Sequence, residues 1–265
     1  MKSIVFIIVV FLAASCKYEK DQTRKHNENL YARDFSIESH DNYKTLNIYD
    51  PWQKAKGAFF QYVISDSKEN IPDSLKNYKY IPVKPQKVIV FSTTHIGFIS
   101  EINCSNTICG ASGVKYIYND SIRRRIDSGE IIDIGHAPNI DYEKIVEMQP
   151  NLVFVYGLGS SVMNIIKRLD EAGIPSVVIG EFLEKDPLAK MEWIKIFASI
   201  YNKEEYANTK FKEACDNYNY WKNKVSELNS KPKVLIGLPW KDTWFLSGGQ
   251  SFQASFIKDA GGDYL

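Results

Sequence analysis

Two of the four histidines stand just after apolar runs, His95 after Val88–Phe91 and His136 after Ile131–Ile134. Tyr156 closes a third run from Leu152, and Glu181 follows a fourth, Ser176–Ile179. Thr94 immediately precedes the first of these histidines. Such side chains suit two kinds of chemistry. Two imidazoles and a carboxylate fit a bare zinc, manganese or iron ion, with His95, His136 and Glu181 as ligands. A hydroxyl, an aromatic ring and a carboxylate around one opening fit capture of a small molecule. Each residue alone is more often a cap or a surface group. Their common position after a strand is what groups them.

Catalysis is not indicated. Gly157-Leu-Gly159-Ser160-Ser161 lacks the G-x-S-x-G of a nucleophile elbow and the lysine of a P-loop. It reads as a glycine turn into a helix capped by Ser160 or Ser161. No nucleophile–base pair stands out, which argues against a hydrolase and for a non-enzyme.

The elements that must position these residues follow from the pattern. Continuous apolar, β-branched runs at 88–91, 131–134, 152–156 and 176–179 mark strands buried on both faces. Between them, Tyr142, Ile145 and Val146, then Val162, Ile165, Ile166 and Leu169, carry helical spacing. Alternating strands and helices predict an α/β, Rossmann-like lobe on a parallel sheet over 86–183. Ligands of such sheets sit beyond the carboxyl ends of the strands.

Flanking segments differ. Residues 16–85 read as a polar tether and a β arm of two or three antiparallel strands, with 67–86 an extended, proline-marked connection. Residues 184–230 read as helical, opened by Asp186-Pro187 as cap and first turn. Asn202 and Glu205 resemble a capping box. A long helix then carries Ala207, Phe211, Ala214, Tyr218, Trp221, Val225 and Leu228 on one stripe. Residues 231–265 begin another α/β unit, with a strand at 234–236 and a helix at 252–258.

Composition bounds the function classes. The 265 residues hold 33 Lys+Arg against 32 Asp+Glu, so nothing favours nucleic acid or a disordered acidic chain. An aromatic content of 13% suits a binder of flat or apolar ligands, working as a monomer.

Lys2 and the apolar run Ile4–Ala14 make residues 1–15 a signal peptide, too short to span a bilayer. Leu12-Ala13-Ala14-Ser15-Cys16 resembles the lipobox of bacterial lipoproteins, with Ala13 where leucine is usual. That resemblance implies lipidation of Cys16 and anchoring on the periplasmic side of the cell envelope. The other reading is a plain signal peptide with an incidental cysteine. Of the remaining cysteines, Cys104 and Cys109 are five apart and either pair or stay free, while Cys215 reads as a small buried thiol.

Glu143-Lys-Ile145 through Pro150-Asn151-Leu152-Val153 resembles the E-x-I-x-x-x-x-P-D-L-V segment of ABC-importer substrate-binding proteins for cobalamin, ferric siderophores and haem. Asn151 replaces the usual aspartate. Gly173-Ile-Pro175 and Ser247-Gly-Gly249 with Asp259–Leu265 extend the likeness from about 85 to the end. The resemblance implies two α/β lobes joined by a rigid helix, with an iron or cobalt chelate clamped between them. It implies an ABC permease and its ATPase as partners, with Glu143 docking on the permease. The bland role of Glu143 is helix-dipole support. Ligand contacts would come from Thr94, His95, His136, Tyr156 and Glu181. In the second lobe Trp240 would stack on a ring and Lys241 pair with a carboxylate, unless Trp240 and Trp244 are core. A non-transporting surface lipoprotein is the remaining alternative. Only 35 residues are left for that lobe, so the chain is expected to be a fragment of a longer protein.

Overall fold

The computed structural model describes residues 29–228 and 230–265. Residues 1–15 and Cys16 lie outside the described residues.

The arm is a four-stranded sheet in the order β1-β2-β3-β4, from Phe35–Ser39, Lys44–Tyr49, Phe59–Ser65 and Lys79–Pro82. The first three are antiparallel, as the alternation requires. The fourth corrects the extended-connection reading: Lys79–Pro82 pairs in parallel with β3. It is an edge strand that ends on a proline, which such a position tolerates. Strict alternation sends Phe35, Leu46, Ile48, Tyr62, Ile64 and Ile81 inward, where all are buried in the common core. Burial of each large apolar side chain contributes about 1.5–3 kcal/mol. The Tyr62 hydroxyl accepts the Val178 N–H at 3.2 Å, and Phe35 packs on Trp193 with ring centroids 5.0 Å apart. The arm therefore shares one core with the lobe that follows.

That lobe contains β5 Val88–Val90, α1 Thr93–Glu101, β6 Ile108–Ala111, α2 Asp120–Asp127 and β7 Ile132–Asp133. A hairpin of β8 Gly135–His136 and β9 Asn139–Ile140 leads to α3 Tyr142–Met148, β10 Leu152–Val155, α4 Val162–Glu171 and β11 Ser176–Val178. The five long-range strands form a wholly parallel sheet in the order β11-β10-β5-β6-β7. The chain starts in the middle at β5, builds outward to β7, then returns to β10 on the other side. The β5/β10 boundary is thus the switch point, where a crevice opens beyond the strand ends.

The helical segment is α5 Pro187–Glu192, α6 Ile194–Tyr201 and α7 Glu204–Ser226. Asp186 caps α5 by accepting from the Leu188 and Ala189 N–H groups at 2.7 and 3.2 Å, with Pro187 in the first turn. Asn202 does not open α7. It ends α6 in the left-handed conformation at φ 53°, which asparagine tolerates. The 23 residues of α7 make a rod of about 35 Å. Only Ala207, Phe211 and Cys215 are buried along it. The stripe is covered by the lobe at its start and exposed later, where Trp221 and Leu228 face outward.

Beyond it, β12 Lys233–Val234 and β13 Asp263–Tyr264 pair in parallel around α8 Phe252–Asp259. Cys104, Cys109 and Cys215 are all free thiols. The Cys104 and Cys109 thiols face the carbonyls of Ile102 and Val88, both at 3.4 Å.

Candidate ligand-binding site

Ser92, just after β5, has extended backbone and caps α1 by accepting the Thr94 N–H at 3.2 Å. This cap fixes Thr94 at the mouth of the sheet. The Thr94 hydroxyl donates to Glu181 Oε1 at 2.5 Å, and Ser92 Oγ lies 2.8 Å from Thr94 Oγ1. Glu181 opens the helical turn after β11 and is only 3% exposed. Its second oxygen, Oε2, has no hydrogen-bond partner in the protein. Burial pushes its carboxyl above the usual range, against the opposing bond from Thr94. In the neutral form this acid carries an O–H donor and does not repel an anionic ligand group.

Lys190 reaches the same place from α5. Burial lowers its ammonium pKa, while Glu181 and Glu184 oppose that shift. Its Nζ sits 3.9 Å above the Phe252 ring centroid, so a single cation links the strand-end rim to α8. Tyr156 follows β10, half-buried, with its ring edge-on to Phe182 at 6.1 Å. Gly157 behind it has no room for a side chain, because a Cβ would come within 2.5 Å of the Val162 Cβ.

His95 does not line the rim. Because Ser92 starts a helix rather than a loop, His95 turns inward with Ile96 and Ile99. It is 0% exposed and ringed by Phe154, Tyr156 and Phe197, with centroids 6.0 to 6.3 Å away. Neither ring nitrogen makes a hydrogen bond of full geometry in the protein, and the nearby Phe154 backbone opposes the effect of burial only in part. Burial drives the imidazole pKa down to about 3, so the ring is neutral at ordinary pH.

His136 is exposed on the β8–β9 hairpin and rests against Tyr116 at 6.0 Å. It sits beyond edge strand β7, whereas Glu181 sits beyond the opposite edge, β11. Four strand spacings separate those edges, about 19 Å. His95, His136 and Glu181 therefore cannot share one ion. Among the described residues no group of three or more His, Cys, Asp or Glu side chains is placed to hold a metal. The structure does not assemble the His95, His136 and Glu181 triad of the bare-metal reading.

Trp240 and Lys241 lie in the 231–265 segment, whose β12–β13 pair is not part of the main sheet. Trp240 is 71% exposed in a tight turn closed by its bridge to Thr243, and Lys241 is exposed with φ 52°. Trp240 and Trp244 are not core. Glu143 is exposed in the first turn of α3, whose cap is Asp141, accepting the Lys144 N–H at 3.1 Å. The structure thus brings Thr94, Glu181 and Tyr156 to one mouth and leaves His136 apart. Lys190 and Phe182 join that mouth. Lys190 gave no local signal, because it arrives only when α5 folds back over the 181–183 turn.

A family model described as periplasmic binding protein matches residues 88–265. This chain belongs to that family. It is 34% identical over 213 residues to an uncharacterized lipoprotein of Methanocaldococcus jannaschii, covering 77% of this chain and 50% of that protein. The chain therefore spans half the length of that relative. A periplasmic binding protein from Veillonella parvula superposes with TM-score 0.58 at 14% identity, over 87% of this chain and 68% of its own. A periplasmic catecholate-siderophore binding protein from Vibrio cholerae gives TM-score 0.54 at 14% identity, over 69% and 63%. Both likenesses concern the fold. The family match begins at β5 and leaves the arm outside it.

Proposed function

We propose that the chain is part of the solute-capturing component of an ABC importer, taking up an iron or cobalt chelate such as a ferric siderophore, haem or cobalamin. The observation that carries this reading is the strand-end mouth of Thr94, Tyr156 and Glu181 at the switch point of a periplasmic-binding-protein lobe. Thr94 and Glu181 offer polar contacts, Tyr156 and Phe182 a ring wall, and Lys190 a cation. Trp240 and Lys241, exposed on the 231–265 segment, would contribute a ring and a cation from that side, and His136 lies at the far end of the rim. Because the chain spans half of its lipoprotein relative, the role belongs to the whole protein.

Delivery is to a membrane permease driven by its ATPase, with Glu143 as the outward docking acid. Residence is at the periplasmic face of the cell envelope, anchored through lipid on Cys16. The lipoprotein relative supports the anchor. No described helix is long and apolar enough to cross a membrane. Metabolic labelling with a fatty acid tests the anchor: label that persists in a Cys16→Ala variant refutes it.

Titration with haem, a ferric catecholate siderophore and cobalamin, read by tryptophan fluorescence and equilibrium dialysis, tests the ligand class. Saturable binding without turnover of one of them is expected. Absence of binding by all three overturns the reading.

A further inference from the structure

The β arm lies outside the segment matched by the family, and its outward face is built unlike a solvated sheet surface. The register pairs Ser36 with Asn47, Glu38 with Thr45, and Asn47 with Gln61. Those residues all point away from the apolar core, yet Thr45 is 5% and Asn47 7% exposed. The 67–78 segment folds over them and leaves a cavity of about 320 Å³. Its wall includes Thr45, Asn47, Gln61 and Tyr78, with Tyr43 and Phe59.

The polar groups are organised but incomplete. The Gln61 amide donates to the Tyr78 hydroxyl at 2.6 Å, and the Asn47 amide donates to Ser36 Oγ at 3.2 Å. The Thr45 hydroxyl is buried with no partner in the protein. A buried hydroxyl without a partner is unfavourable, so such groups normally bond to something. Two ring stacks flank the opening: His40 on Tyr43 at 4.5 Å and 20°, and Tyr49 on Phe59 at 5.2 Å and 16°. Neither lysine nor arginine lines the cavity, so it does not suit a phosphate or carboxylate.

We infer that this cavity is a second binding site, for a single pyranose-type sugar ring. Carboxamides and hydroxyls present donors and acceptors together, as vicinal sugar hydroxyls require. Glu38 at the edge supplies a further acceptor. Flat aromatic faces match the apolar C–H face of a sugar ring. The volume lies at the lower end of small-ligand pockets. The site is independent of the chelate reading, because it uses none of the strand-end residues.

The test uses the full chain, titrated with D-glucose, D-galactose and N-acetylglucosamine by calorimetry and saturation-transfer NMR. Saturable millimolar binding of at least one sugar is expected. Phe59→Ala, at a ring already 42% exposed, should weaken it about tenfold with an unchanged melting curve. Asn47→Ala should weaken it at least as much. Tyr118→Ala, at an exposed ring of the α/β lobe, should leave it unchanged. Failure of all three sugars to bind overturns the inference. So does binding indifferent to Phe59→Ala, or binding lost with Tyr118→Ala.

Discussion

The Thr94 hydroxyl donates to Glu181 Oε1 across 2.5 Å, joining the loops after β5 and β11 although β10 lies between those strands. One short bond therefore spans the crevice where the sheet reverses its winding. It also gives the buried Glu181 carboxyl a side-chain donor.

Removing that partner should be felt in stability. Thr94→Val leaves both Glu181 oxygens without a side-chain donor, and unfolding by urea should show a loss of about 1–3 kcal/mol. Glu181→Gln in the Thr94→Val background should recover part of it, because no charge then remains to be buried. A double variant no more stable than Thr94→Val alone would show that Glu181 charge burial is not the cause.

Acid sensitivity should trace partly to His95. Its folded pKa, about 3, lies below the ordinary 6.5, so the folded state binds fewer protons than the unfolded one. The resulting stability is full above pH 6.5 and is lost as pH falls toward 3, at up to about 1.4 kcal/mol per pH unit. The raised Glu181 carboxyl acts in the opposite sense: its contribution is present at low pH and is lost as pH rises through its folded value. His95→Phe should flatten the fall in urea midpoint between pH 6 and pH 4. An unchanged slope counts against a buried neutral imidazole.

Glu192 should be the most sensitive acid outside the mouth. It is fully buried and accepts the N–H groups of Leu30, Tyr31 and Ala32, each at 2.8 Å, with Lys195 Nζ at 2.6 Å. Glu192→Ala should cost about 3 kcal/mol and expose the chain near residue 30 to protease. Mass spectrometry of limited digests reads the second effect.

Docking should be separable from capture. Glu143→Lys reverses the charge of an exposed residue and should abolish uptake in cells while leaving chelate affinity and melting temperature unchanged. Normal uptake with the reversed charge would remove Glu143 from the interface.

Much of the lobe was legible because its central strands carry an unmistakable composition. Val88–Val90 and Leu152–Val155 are apolar throughout, as strands covered on both faces must be. The strand Ile108–Ala111 was not legible, because packing there demands smallness: a Cβ on Gly110 would meet Met148 Cε at 2.8 Å. Lys79–Pro82 was hidden by prolines that an edge position accepts. At the candidate site, position after a strand grouped Thr94, Tyr156 and Glu181, which the fold brings to one mouth. The same rule misplaced His95, because a serine cap converts the third residue of a loop into the inward face of a helix. It grouped His136 with Glu181 because order along the chain does not disclose which strands become the two edges.

The three N–H groups held by Glu192 have a mechanical consequence. A pull on the chain at residue 29 loads bonds that converge on one carboxylate seated in the helical segment. The strands of the arm follow that clasp, and the Asn29 amide also donates to the Phe35 carbonyl at 3.0 Å, so tension at residue 29 is divided between the clasp and the start of β1. Strain entering from the N-terminal side is thus borne largely by α5, the helix that also carries Lys190 to the strand-end mouth.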